Sequence, residues 1–140
     1  MSNAVATAPP LHRTVSMRWA LLGFAGLLVA DVIVKLLGFR RLHAAVQAFP
    51  RPSAPCAADE RVAAICHSIN RAAAFYFKRA WCLQRSAVTT CLLRLLGYPA
   101  EMIIGVRKMP FYAHAWVEID GRVVNDARTV QSFYVVLERC

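Results

Sequence analysis

Apolar residues run almost unbroken from Trp19 to Ala30, resume after Asp31 as Val32-Ile33-Val34, and continue past Lys35 through Leu36, Leu37 and Phe39. The pattern predicts one long apolar helix from Met17 to about Ala48. A bilayer span needs about 20 apolar residues. This run reaches that length only by including Asp31 and Lys35, charges that are costly at mid-membrane even when paired one turn apart. The expectation is a helix buried in the domain, or lying against a membrane surface or a partner. Ahead of it, residues 1–15 with Pro9-Pro10 read as a disordered tail. After it, Pro50, Pro52 and Pro55 forbid a continuous helix, so residues 49–55 read as a linker.

Between 58 and 80, Val62, Ile65, Cys66, Ile69, Ala73 and Tyr76 fall near helical spacing, with Arg61, Asn70, Arg71 and Lys78 elsewhere. A further helix is predicted from Cys82 to Leu96, stopped by Gly97 with Pro99 just beyond. The period then changes. Residues 101–106, 113–119, 122–125 and 133–137 read as four short strands. Helices followed by strands indicate an α+β domain whose N-terminal helices pack on a small antiparallel sheet. The chain divides into a tail (1–15), an apolar helix with its Pro-rich linker (16–55) and a C-terminal domain (56–140).

Asp120-Gly121 allows two hairpin turns. A two-residue loop pairs Ile119 with Arg122 and puts Asp126 opposite Ala115, on the other face from His114. A three-residue loop Ile119-Asp120-Gly121 puts Glu118 opposite Arg122, Trp116 opposite Val124, and His114 opposite Asp126. The second gains an opposite-charge pair and an aromatic–aliphatic pair, each worth roughly 0.2–1 kcal/mol, and is the expected register.

At 140 residues the chain suits one domain with a genuine core. Its hydrophobic share of 58% reflects the N-terminal helix. The formal net charge is +9, and residues 1–55 concentrate Arg13, Arg18, Lys35, Arg40, Arg41 and Arg51 against Asp31 alone. No Lys/Arg stripe interleaved with aromatics appears, so nucleic acid is not an expected partner. Five cysteines (Cys56, Cys66, Cys82, Cys91 and Cys140) show neither metal nor disulfide spacing. They read as free thiols in the cytoplasm, with no metal and no cofactor. The apolar stretch lacks a signal-peptide cleavage site, because Lys35 and Gly38-Phe39-Arg40-Arg41 follow it.

The chemistry gathers on Cys82, His114 and Asp126. A thiol at a helix N-terminus is stabilised as thiolate by the helix dipole. An imidazole can take its proton, and a carboxylate can orient the imidazole. The other cysteines read as packing residues. His12 and His43 read as solvated, and His67 as a surface or capping residue. Arg85, one turn into the Cys82 helix, and Trp116, on the His114 strand face, are candidate substrate-binding residues. Arg85 alternatively holds a carboxylate, and Trp116 packs in the core or shields the imidazole. The backbone N–H of Cys82 is the candidate oxyanion donor; Gln84 follows the cysteine and is not assigned that role.

The segments Cys82-Leu-Gln-Arg-Ser86, Leu92-Leu-Arg-Leu-Leu-Gly-Tyr-Pro-Ala100, Ile104-Gly-Val-Arg107 and His114-Ala-Trp-Val-Glu-Ile-Asp-Gly-Arg-Val-Val-Asn-Asp126 carry a resemblance. Across roughly residues 58–137 the chain resembles the transglutaminase-like (papain-like) leader peptidases of lasso-peptide biosynthesis, the B proteins of those clusters. The resemblance implies Cys82 as nucleophile, His114 as general base and then acid, and Asp126 as orienting carboxylate. It implies cleavage of the leader from a ribosomally made precursor peptide. The freed core amine then goes to an ATP-dependent asparagine-synthetase-like cyclase. The first 55 residues do not look like the small recognition domain fused to some members, so a leader-recognition protein in trans is expected. Two other readings remain: acyl transfer to an amine, as in transglutaminases, and a non-enzymatic interaction module anchored at a membrane by residues 17–48.

Overall fold

The computed structural model describes residues 16–53, 60–77 and 81–140. The expected tail, His12, Cys56, and both ends of the 58–80 helix lie outside them.

The apolar segment forms two helices, α1 (Met17–Leu37) and α2 (Phe39–Ala48). Gly38 between them adopts φ +80°, ending one helix and starting the next. With ψ 172° this is a backbone region essentially confined to glycine, costing another residue about 1–3 kcal/mol, so the expected single helix turns an elbow at the glycine. Helices α3 (Glu60–Ala74) and α4 (Cys82–Leu95) follow. Then come β1 (Ala100–Lys108), β2 (Phe111–Ile119), a two-residue β3 (Arg122–Val123), a short α5 (Val130–Phe133) and β4 (Val135–Arg139). The last strand starts later than its apolar pattern suggests, because Phe133 closes α5.

The sheet is antiparallel, in the order β3-β2-β1-β4. Ala115, Val117 and Ile119 alternate on β2 with His114, Trp116 and Glu118, which therefore face the other way. Val117 and Ile119 pack with Val62, Ile65 and Ile69 of α3 and Leu93 of α4. Met102 of β1 packs with Ala30, Leu42, Val46 and Ala87, so the N-terminal helices share the core of the C-terminal half. On the opposite face Ile103 and Trp116 are covered by Val130 of α5. Buried Arg94 ties these layers together, donating to the carbonyls of Ala100 (2.8 Å), Val46 (2.7 Å) and Phe49 (3.2 Å). The last two belong to the C-terminal end of α2, where a cation is favoured.

By length and composition α1 could cross a membrane. Here it packs on α3 and α4 through a narrow stripe of Gly23, Leu27 and Ala30. Leu21, Val29, Val32 and Leu36 are left exposed. His43 is not solvated as expected: its side chain is 12% exposed and its Nε2 lies 3.2 Å from Glu138 Oε1, joining α2 to β4.

The hairpin register differs from the expected one. Ile119 pairs with Arg122 and Glu118 with Val123, the two-residue loop. Asp120 and Gly121 both take positive φ, 49° and 75°. Such turns match the right-handed strand twist, and this local preference outweighs the predicted side-chain pairs. Glu118 therefore does not face Arg122; its cation is Arg139, at 3.0 Å.

Candidate active site

Cys82 is the first residue of α4, preceded by Trp81 in extended backbone, and no side chain caps the helix. Its first-turn N–H groups lack intrahelical partners, and the dipole makes this end receptive to negative charge.

Because β3 is so short, the edge of β2 beyond it is satisfied by other groups. The Val117 N–H donates to Asn125 Oδ1 at 2.8 Å. Ser86 Oγ, one turn along α4 from the cysteine, donates to the Ala115 carbonyl at 3.0 Å and accepts from Asn125 Nδ2 at 3.2 Å. Asn70 of α3 donates to the Asn125 carbonyl at 3.1 Å. The next free donor on that edge, the Ala115 N–H, bonds the Cys82 sulfur. The tip of α4 thus continues the edge that β3 abandons, and this brings a helix thiol beside a strand.

Asp126 follows Asn125, where the strand has already ended. Free of β alternation, its carboxylate reaches His114: Oδ2 lies 2.7 Å from Nε2. Oδ1 accepts the Ala127 N–H at 2.7 Å, and Arg85 Nη2 stands 3.7 Å from Oδ2. With Nε2 given to the carboxylate, Nδ1 is the nitrogen left to exchange a proton with the sulfur. His114 and Cys82 are hydrogen-bonded to one another.

Aromatic packing fixes the imidazole. Trp116 stacks at 26° with ring centroids 6.2 Å apart, and Tyr134 lies 5.3 Å away. Trp116 is fully buried, which removes it as a substrate contact. Its Nε1 donates to Glu118 Oε1 at 2.7 Å, as does Gln131 Nε2 at 2.7 Å. Burial pushes the Glu118 carboxyl up, but the hydrogen bonds from Gln131, Trp116 and Arg139 outweigh it and hold the group below the usual range. Gly105, paired with His114 across the sheet, makes room for this layer. A Cβ there would fall 2.7 Å from the Trp116 ring and 3.0 Å from Tyr134 Cβ.

The electrostatics favour separated charge. Burial raises the Cys82 thiol, but hydrogen bonds to His114 and the Ala115 N–H, with the charges of His114 and Arg85, bring it below its ordinary value. His114 is raised to about 9 by its bonds to Asp126 and Cys82, against burial. Asp126 is lowered chiefly by His114, against burial, with help from the Ala127 N–H and Arg85. A lowered thiol beside a raised imidazole shifts the pair toward the thiolate–imidazolium form. Cys91 is instead raised by burial, and Cys140 is pushed up to about 11 by burial and the Glu138 charge.

A cavity of about 400 Å³ opens over the pair, lined by Cys82, His114, Trp81 and Gln84 together with apolar residues of α1, α2 and the sheet. Gln84 is buried, and its Oε1 has no hydrogen-bond partner among the described residues. Those residues contain no group of three or more His, Cys, Asp or Glu able to hold a metal ion.

Cys82, His114 and Asp126 thus come together, with Arg85 against the carboxylate. Sequence reasoning missed Ser86, Asn125, Asn70, Glu118 and Tyr134 as supports. Ser86 was visible as the residue four positions after the cysteine, on the same helix face. Asn125, beside the carboxylate, signalled a strand end, since asparagine is disfavoured inside strands.

An α+β domain whose helix-tip thiol meets a strand-borne imidazole, itself bonded to a carboxylate just past a strand end, brings together the groups that nucleophilic attack by sulfur needs. The chain belongs to the transglutaminase-like superfamily, whose family model matches residues 24–138. Over 46 residues it is 46% identical to the microcin J25-processing protein McjB of Escherichia coli, covering 33% of this chain. The match spans 22% of that protein's length. No solved structure matches.

Proposed function

We propose that this chain is a cysteine peptidase that removes the leader from a lasso-peptide precursor. The observation carrying the reading is the Cys82–His114–Asp126 chain of contacts at the mouth of a cavity. The superfamily match and the resemblance to a microcin-processing protein support the substrate class. The Cys82 thiolate attacks the scissile carbonyl, and the first-turn N–H of Cys82 stabilises the oxyanion. The His114 imidazolium gives its proton to the departing core amine, leaving the leader as a thioester on sulfur. His114 then takes a proton from water as its oxygen attacks the thioester; the C–S bond breaks, the leader leaves as a carboxylic acid that ionises to solvent, and the thiolate–imidazolium pair is restored. Asp126 keeps the imidazole oriented and stabilises its charged form, with Arg85 steadying the carboxylate. The leader is presented by a recognition protein in trans, and the freed amine passes to an asparagine-synthetase-like cyclase.

The test incubates the protein with precursor and recognition protein and weighs the products. Cleavage that adds one water, lost in Cys82→Ala and His114→Ala variants that remain folded, meets the expectation. Transfer to an amine would instead add the acceptor's mass, the outcome the superfamily name also admits. Undiminished cleavage by the Cys82→Ala protein overturns the mechanism.

A further inference from the structure

The wall of the catalytic cavity farthest from the catalytic residues in sequence comes from the elbow at Gly38. Val34 of α1 and Phe39 of α2 line the same space as Cys82 and His114, facing Ile104 and Ala113 of the sheet. Among the described residues no Asp, Glu, Lys or Arg lines it, and Gln84 joins the catalytic pair as a polar lining residue. Phe39 is left 45% exposed at this site, a large apolar surface beside a reactive sulfur. The positive φ of Gly38 turns the chain between these two residues.

We propose that the α1–α2 elbow is a specificity-determining part of the cleft. Val34 and Phe39 wall an apolar subsite that receives an aliphatic or aromatic side chain flanking the scissile amide. The substrate identity rests on the peptidase reading, but the subsite can be tested without a peptide. A thiolate displaces iodide from iodoacetamide, forming an S–C bond, and an N-hexyl group on the reagent probes the adjoining space. Rates at Cys82, read by intact mass and peptide mapping, are divided by the rates of the same reagents with glutathione.

The expected preference for N-hexyl-iodoacetamide over iodoacetamide is about tenfold, the effect of burying roughly two methylenes. Phe39→Ala should remove most of that preference, and Phe39→Leu should keep it. Equal normalised rates in the natural protein, or a full preference in Phe39→Ala, overturns the subsite while leaving a fast Cys82 intact. A Cys82 no faster than Cys91 and Cys140 with either reagent brings down the catalytic reading and the subsite together.

Discussion

His114 and Asp126 meet at 2.7 Å although the hairpin register places them out of alignment. In a continued ladder the two-residue turn would send them to opposite faces. The contact exists because the backbone ladder ends with the Val124 N–H on the Val117 carbonyl, and Asn125 turns its own side chain to the Val117 N–H. The geometry of the acid is therefore bought by an interrupted strand.

That dependence predicts the effect of Asn125→Ala. The change removes the acceptor of the buried Val117 N–H and the donor to Ser86 Oγ. Leaving such a group unpaired costs about 1–3 kcal/mol. Urea unfolding should show that loss, and turnover should fall further than stability explains, because Asp126 is displaced from His114.

Asp126→Asn tests the carboxylate itself. Removing its charge should let His114 fall from about 9 toward 6.5 and lower activity by about 10²–10⁴-fold. Residual turnover should still exceed that of Cys82→Ala, with the alkaline limb of the pH profile shifted down.

The pH dependence of stability follows from two opposite shifts. His114 is raised, so its contribution is complete below its ordinary value of 6.5 and disappears as pH rises through about 9. Asp126 is lowered, so its contribution is present above the ordinary carboxyl value and is lost as acid protonates the folded group. Denaturation midpoints across pH should show a plateau between these limits. His114→Ala should flatten the alkaline fall.

Gly105→Ala should disturb the imidazole from behind. The added methyl would meet the Trp116 ring at 2.7 Å, with Tyr134 on another side, in a layer with no slack. Overpacking of this kind costs about 1–3 kcal/mol. Altered tryptophan fluorescence with reduced turnover would mark the displacement.

Much of this was legible in the sequence. The change from helical to alternating period announced the α+β order, and Cys82 at a helix start with His114 and Asp126 downstream announced the site. What stayed hidden depended on long-range geometry. A single helix was expected across Gly38, since an apolar run gives no signal of an elbow that only packing on α4 and the sheet selects. The turn was misjudged because cross-strand pairs were weighed above the positive φ that Asp120-Gly121 readily adopts. Asn125, Ser86 and Glu118 act through partners distant in the chain, which no local pattern displays.

The central claim is that Cys82 rests as a thiolate paired with the His114 imidazolium. The most direct measurement is the rate of Cys82 alkylation by iodoacetamide as a function of pH, in the natural protein and in His114→Ala. The account predicts that Cys82 reacts faster than Cys91 and Cys140 and stays reactive well below the ordinary thiol range. In His114→Ala its profile should move up toward that range. A Cys82 that titrates like an ordinary thiol, with or without His114, would contradict it.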